Sequence, residues 1–268
     1  MNLLYNLSLG GFSMDFTFIQ QMTNAGLRVF NVEQATRIGI GIGIQPSAVK
    51  GLLHRLNKKK IIERLKRGLY SLAPEFLRGI PIHEYEIALT LGTPSAIAYL
   101  SAFSYHKLTD QISSHFYIIT LEELRQHRSS YYTYTIKGLK YRIVYVKKNH
   151  FFGIDKKWLA GASIEVTDLE RTLIDGLMKP KYCGGFREVL YAFSQAIERI
   201  DLDKIISYAL KMNDTACKRL GWVLENLEIE QSRLEPLLAR TTTSFSTLDQ
   251  SGSRCGVRNN KWLIVQNI

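Results

Sequence analysis

Cysteine is scarce in this sequence of 268 residues, and long hydrophobic runs are missing. The three cysteines, Cys183, Cys217 and Cys255, lie far apart, and no Cys-x-x-Cys pair occurs. This pattern argues against a disulfide framework and a structural zinc site, and it is typical of a reducing cytoplasm. No run reaches the roughly 18 apolar residues of a membrane-spanning helix. The opening stretch MNLLYNLSLGGF lacks the basic start of a signal peptide. We therefore expect a cytoplasmic protein without membrane contact.

Acidic residues are also few relative to basic ones. The chain has 24 Asp and Glu against 35 Lys and Arg, a net charge of +11. Residues 1–80 contain 11 basic and 4 acidic residues, whereas residues 81–268 contain 24 and 20. A hydrophobic fraction of 46% is enough for a buried core. The uneven basic surplus favours a polyanionic partner, nucleic acid above all.

Apolar periodicity near the N-terminus predicts three helices followed by a hairpin. The helices are expected at 13–26, 32–40 and 46–59, with Pro46 at the first helical position of the third. Two short strands, IIERL and LYSLA, follow it, and Gly68 in the turn between them permits a positive φ. This order is typical of a winged helix-turn-helix.

The stretch APEFLRGIPIH, residues 73–83, is rich in turn-forming residues and predicts a domain boundary. We therefore predict a winged helix-turn-helix DNA-binding domain over residues 1–78 and a second domain over residues 79–268. In the second domain, helices are expected at 83–91 and 95–106, then strands at HFYIIT, YYTYTI, KYRIVYVK and ASIEV. Helices are expected next at 168–178, 185–198, 202–212, 215–228 and 231–239, before a last strand KWLIV. The predicted fold class is α+β, with a mixed α/β second domain and a helical back half.

The third helix and the hairpin combine eight Lys and Arg with one acid, Glu63. An apolar stripe at i, i+3, i+4, i+7 predicts the buried face, and a polar face lies beside it. Residues expected to face DNA bases are Ser47, Lys50, Gly51 and His54. Residues expected to contact phosphates are Lys58, Lys59, Lys60, Arg64, Lys66 and Arg67. A glycine inside a helix costs about 1 kcal/mol, so Gly51 indicates close approach of a partner or tight helix packing.

Other motifs allow both a chemical and a structural interpretation. Asp168 and Asp175 suit a metal site, but Thr167 and Glu170 also fit a capping box, with Arg171 pairing nearby acids. Cys183 beside two glycines suits a nucleophile or a plain turn. We predict no catalytic residue, metal or cofactor.

Two further groups of residues remain open. Ser101, Tyr105 and His106 lie close together in sequence but lack an identifiable acid. Tyrosine-rich strands with Lys137, Lys140, Arg142, Lys147 and Lys148 indicate a second nucleic-acid surface or ordinary cross-strand packing. The stretch SGSRCGVRNNKW, residues 251–262, reads as a basic loop.

A family resemblance extends over nearly the whole chain. The segments that carry it are GLYSLAP, SAIAYLSAFSYHKLTDQI, HFFG, VTDLERTLIDGLMKP, YCGGF and LDQSGSRCGVRNNKWLIVQN. In this order and spacing the chain resembles the AbiEi-type antitoxins of bacterial abortive-infection systems, a type IV toxin–antitoxin arrangement. The resemblance implies a winged helix that represses its own operon at inverted repeats in the operator DNA. It also implies an antitoxin domain that counters a nucleotidyltransferase-like toxin, directly or indirectly.

The leading hypothesis is thus a DNA-binding antitoxin and autorepressor that is not an enzyme. The alternative is a ligand-responsive winged-helix transcription factor without a toxin partner. A third hypothesis, a nuclease or other enzyme tethered to DNA by the winged helix, requires metal-dependent activity through Asp168 or Asp175.

Overall fold

The computed structural model describes residues 12–77, 79–122 and 131–268. Its architecture is α+β, as predicted. The α-helices are α1 (Phe12–Asn24), α2 (Val32–Gly41), α3 (Pro46–Lys58), α4 (Glu84–Leu89), α5 (Tyr99–Tyr105), α6 (Leu169–Met178), α7 (Phe186–Ala196), α8 (Leu202–Met212), α9 (Asp214–Asn226) and α10 (Gln231–Arg240). The strands are β1 (Val29–Asn31), β2 (Ile62–Lys66), β3 (Leu69–Leu72), β4 (Ser95–Ile97), β5 (His115–Thr120), β6 (Tyr131–Ile136), β7 (Leu139–Tyr145), β8 (Ile154–Leu159), β9 (Ala162–Thr167), β10 (Ser246–Thr247), β11 (Val257–Asn259) and β12 (Ile264–Gln266).

The chain divides into two compact units. The first contains the residues up to Leu91 together with the hairpin tips Thr135–Gly138 and Lys157–Ile164. The second contains Gly92–Tyr134, Leu139–Lys156 and Glu165–Ile268. Two segments inserted from later in the chain thus belong to the first unit, which a linear reading of the sequence does not anticipate.

The core of the first unit is built from helices α1, α2 and α3 and a small antiparallel sheet of order β1-β3-β2. Asn31 and Gln34 form a reciprocal capping box that begins α2. Apolar side chains from all three helices and the sheet meet in one core, whose fully buried members include Phe18, Met22, Phe30, Val49, Leu53 and Leu56. The sequence analysis missed β1, which pairs three residues with β3.

A six-stranded sheet of order β6-β7-β5-β4-β9-β8 is the centre of the remaining fold. Strands β5 and β7 run parallel, in register from His115 opposite Lys140 to Thr120 opposite Tyr145. Strand β4 pairs antiparallel with β5 and parallel with β9. Helices α6 to α10 supply most of the core of the second unit, with Ile119 and Val144 contributed by the sheet.

The C-terminal segment adds a small sheet of order β10-β12-β11. Trp262 precedes β12 and is completely buried in the same core as α9. Its backbone N–H donates to Asn259 Oδ1 at 2.9 Å, and its indole N–H donates to Glu225 Oε2 at 2.8 Å. Trp262 therefore helps to fasten the end of the chain to α9.

Several sequence predictions were wrong in detail. Residues 95–106 were expected to form one helix, but Ser95–Ile97 is a strand, because these residues pair with β5 and β9. Strand β8 was missed. The predicted last strand begins only at Ile264, since Leu263 has a positive φ of 52°. Part of the predicted C-terminal loop is β11, which pairs with β12.

The cap of α6 also differs from expectation. The cap is Asp168, whose carboxylate accepts a hydrogen bond from the Arg171 N–H at 2.8 Å. Thr167 instead ends β9 and shares a hydrogen bond with Thr172. Among the described residues, no helix is long and apolar enough to cross a membrane. Residues 1–11, on which the expectation of no signal peptide mainly rests, lie outside the described residues.

Candidate nucleic-acid interface

Helix α3 separates an apolar face from an exposed polar face. Pro46 occupies its first turn, where a missing N–H costs no helical hydrogen bond. The buried stripe consists of Val49, Leu52, Leu53 and Leu56. All four residues predicted to face bases are exposed: Ser47, Lys50, Gly51 and His54. Lys58 is exposed too. The structure thus places this predicted set on the solvent side of one helix.

Gly51 lies on that exposed face, and its surroundings are open. No described atom outside its own helix and chain neighbours lies within 4 Å of the position that a Cβ would occupy. Tight packing against a neighbouring helix therefore does not account for this glycine. The free space is consistent with the other explanation, in which the backbone of a partner approaches α3 closely.

The C-terminal end of α3 is fixed to α1 by Asp15. The Asp15 carboxylate is buried and forms ion pairs with Arg55 Nη2 at 2.7 Å and with Lys59 Nζ at 2.9 Å. Burial alone raises the pKa of this carboxyl, but the hydrogen bonds and charges of Arg55 and Lys59 outweigh burial, so that its pKa is lowered. Lys59, predicted to contact phosphate, is thus paired with Asp15, although its side chain is 36% exposed. The sequence analysis did not identify Arg55 or its partner, because the two residues are 40 positions apart.

The β2–β3 hairpin carries the remaining predicted cations. Its turn has the expected positive φ at Gly68, 81°, with Arg67 exposed beside it. Arg64 is exposed, and its backbone N–H donates to Asn57 Oδ1 at 3.1 Å, which links the hairpin to α3. Lys66 is half-buried, and burial lowers the pKa of its ammonium.

Lys60 is exposed and follows the end of α3 with a positive φ of 57°. The single acid of this region, Glu63, forms an ion pair with Lys137 Nζ at 2.6 Å. Lys137 had been grouped with a second basic surface, but it belongs to the first unit. Because Lys137 compensates the charge of Glu63, the hairpin carries less unpaired negative charge than the sequence suggests.

The carboxylates that the sequence offered for a metal site are bonded to protein groups instead. The Asp168 carboxylate accepts a hydrogen bond from Tyr208 Oη at 2.8 Å and pairs with Lys204 Nζ at 3.1 Å. The Asp175 carboxylate pairs with Arg171 Nε at 2.9 Å. In the described part of the chain, no group of three or more His, Cys, Asp and Glu could hold a metal ion. These contacts support the structural interpretation of the TDLERTLID motif.

The other candidate catalytic groups are also engaged in packing. Cys183 is completely buried, and burial raises the pKa of its thiol, so the reactive thiolate is disfavoured. Ser101 Oγ accepts a hydrogen bond from the Tyr117 N–H at 2.8 Å. The His106 ring nitrogen Nε2 lies 2.7 Å from the carbonyl oxygen of Thr167, to which it donates. Ser101 and His106 thus each hydrogen-bond to the backbone of a distant residue, which is typical of structural residues.

The remaining basic residues are distributed unevenly. Lys147 and Lys148 are exposed after β7, whereas Arg142 is half-buried among tyrosines. In the C-terminal segment, the Arg258 guanidinium lies 5.2 Å from the centre of the Phe245 ring. Lys261 pairs with Glu225.

No protein-family model matches the chain, and no curated protein sequence matches it. Among solved structures, the chain is similar to the crystal structure of RV2827C protein from Mycobacterium tuberculosis. The TM-score is 0.56 at 12% sequence identity, over 94% of this chain and 91% of that chain. At this identity the likeness concerns the fold alone. It shows that the arrangement described above recurs over most of the length of an experimentally solved protein.

Proposed function

We propose that this chain is a DNA-binding antitoxin that represses its own operon. In this proposal residues 1–78 form a winged helix-turn-helix, in which α3 is the recognition helix and the β2–β3 hairpin is the wing. The observation that carries the proposal is the exposed face of α3. It carries polar and basic side chains beside Ala48 and Gly51, it lies opposite a buried stripe, and its glycine leaves room for a partner.

Two kinds of contact follow from this placement. Ser47, Lys50, Gly51 and His54 would face base edges, because the first turns of a recognition helix enter the major groove. Lys58, Lys60, Arg64, Lys66 and Arg67 would hold phosphates on either side. Lys59 is exposed as well and would also contact phosphate, although its ammonium is shared with Asp15.

The antitoxin part of the proposal rests on the family resemblance. In this proposal the second domain, residues 79–268, counteracts a nucleotidyltransferase-like toxin encoded by the neighbouring gene. The operator is then an inverted repeat upstream of the same operon, and the protein acts in the cytoplasm in defence against phage. No catalytic chemistry is assigned to the chain itself.

Loss of phosphate contacts should weaken DNA binding and its salt dependence. We expect alanine at Lys58, Arg64 and Arg67 to reduce the slope of log affinity against log salt by roughly three, about one for each contact. The measurement is fluorescence anisotropy with the DNA upstream of the operon, at several salt concentrations. All three side chains are exposed, so the fold should persist.

A matched control removes the same charge elsewhere. Lys156, Lys179 and Arg187 are exposed and lie outside α3 and the hairpin. Their alanine variant should retain nearly all affinity and slope. Equal losses in the two variants would mean that only net charge matters, and an unchanged slope in the first would contradict the proposed interface.

Co-expression tests the antitoxin role. We expect the full chain to restore growth to cells that express the neighbouring toxin gene, and the Lys58/Arg64/Arg67 alanine variant to restore it equally well, because neutralisation is assigned to the second domain. The measurement is colony formation with each protein under a separate inducible promoter, so that loss of repression does not interfere. A neighbouring gene of another kind, or toxicity that persists, would remove the antitoxin assignment while leaving DNA binding intact.

A further inference from the structure

Arg142 of the second unit is surrounded by aromatic rings. Its guanidinium carbon lies 4.6 Å from the ring centre of Tyr131, 5.5 Å from that of Tyr117 and 5.9 Å from that of Tyr182. Tyr117 is opposite Arg142 in the parallel pairing of β5 and β7, so the two side chains lie on the same face of the sheet. The faces of tyrosine rings attract a cation, and they hold this one in place.

The charge of Arg142 has no carboxylate partner among the described residues. Its Nη2 lies 3.2 Å from His115 Nε2, and its Nη1 donates weakly to Tyr117 Oη at 3.4 Å. A guanidinium has five N–H donors, so these two contacts leave most of them unused. Its Nε is buried without an acceptor in the described structure. Partly burying a cation in this way costs free energy unless an anion compensates it.

Other cations lie around this group. Lys140 is exposed and is opposite His115 in the same strand pairing. Lys181 Nζ lies 5.1 Å from the ring centre of Tyr182. Burial, followed by the charges of Arg142 and Lys140, lowers the pKa of His115. A neutral His115 can accept the hydrogen bond from Arg142. Among the described residues of the cluster, the charges named above are then the arginine and the two lysines.

We propose that Arg142, Lys140 and the surrounding tyrosines form a binding site for a phosphate ester. A planar guanidinium offers paired donors to phosphate oxygens, and a nearby lysine adds charge without demanding a fixed geometry. Access is from the side of Arg142, Tyr131 and Lys140, because Tyr117 and Tyr182 are almost fully buried. The phosphate belongs either to a free nucleotide or to the backbone of a nucleic-acid strand. Its residues belong to the second unit, whereas α3 belongs to the first.

Calorimetric titration of the full chain with ATP tests the free-nucleotide source. A short single-stranded oligonucleotide tests the other source, and this arm uses the Lys58/Arg64/Arg67 alanine variant so that the first unit contributes little. We expect saturable binding of at least one of the two probes. The probe that binds identifies the source, and absence of binding by both would overturn the proposal.

Substitutions assign the binding to this cluster. Arg142→Gln should weaken it at least about tenfold, in line with loss of a charge-assisted contact, and Lys140→Gln should weaken it several-fold. Lys156→Gln is the matched control and should bind as the wild type does. Lys140 is exposed, so its variant decides the matter even where Arg142→Gln does not fold. If both variants fold and both bind as strongly as the wild type, the site is refuted. If Arg142→Gln does not fold, wild-type binding by Lys140→Gln alone refutes it.

Discussion

Replacing Arg171 with methionine should destabilise the protein by about 3–5 kcal/mol, the usual cost of leaving a buried charge without its partner. Arg171 is 1% exposed and Asp175 is 2% exposed, and the two side chains are joined at 2.9 Å. Arg171 also donates to the carbonyl oxygen of Phe152 at 3.2 Å, and its guanidinium lies 4.5 Å from the centre of that ring. Urea unfolding followed by circular dichroism measures the loss.

The matched variant removes both charges. Arg171→Met combined with Asp175→Leu leaves no unpaired ion, so most of the lost stability should return. The difference between the double variant and the sum of the single ones gives the coupling of the pair. A loss below about 1 kcal/mol in Arg171→Met would be the size found for exposed pairs and would contradict the structural role.

The pH dependence gives a second measure of the same effect. Burial raises the pKa of Asp175 even with Arg171 beside it. Without the arginine, the folded protein binds this proton still more readily than the unfolded chain does. The destabilisation is then largest where the carboxyl is charged in both states, and it shrinks as the pH falls toward the unfolded value of about 4. A gap between variant and wild type that stays constant over the acidic range would argue against an uncompensated Asp175.

Replacing Gly221 with alanine should cost roughly 2–3 kcal/mol, although alanine favours helices. Gly221 lies inside α9, and a Cβ there would overlap atoms of the Trp262 ring. The ring is completely buried and bonded to Glu225, so it has no free direction in which to move. The same urea titration measures the change.

Gly51→Ala is the control for that substitution. Both glycines are inside helices, but the Cβ position at Gly51 is open. Alanine should therefore stabilise the chain at this position by up to about 1 kcal/mol. If both variants were stabilised equally, close packing of Trp262 on α9 would not limit stability.

These two contacts change the interpretation of the family-like segments. VTDLERTLID holds the Arg171–Asp175 pair and the Asp168 cap, and the C-terminal segment holds Trp262. Both segments fasten the second unit together. Their residue types resemble those of active sites, because ion pairs and caps use the same carboxylates and arginines as catalysis does.

Local patterns in the sequence were sufficient for most elements. The third helix follows from the stripe from Val49 to Leu56 and from Pro46, and the hairpin follows from Gly68. These signals depend on neighbours within a few residues, which the sequence contains directly. The α+β class and the exposed basic face of α3 were predictable for the same reason.

Only the tertiary structure decided which charges are available and which strands pair. Lys59 is bonded to Asp15, which lies 44 positions away in sequence, and Glu63 is bonded to Lys137. Strand β4 exists because β5 and β9 flank Ser95–Ile97, although its sequence alone favours a helix. Arg142 meets its tyrosines in the same way, through β5, β6 and the turn before α7. Contacts between distant segments depend on how the chain folds back on itself, and local periodicity contains no record of them.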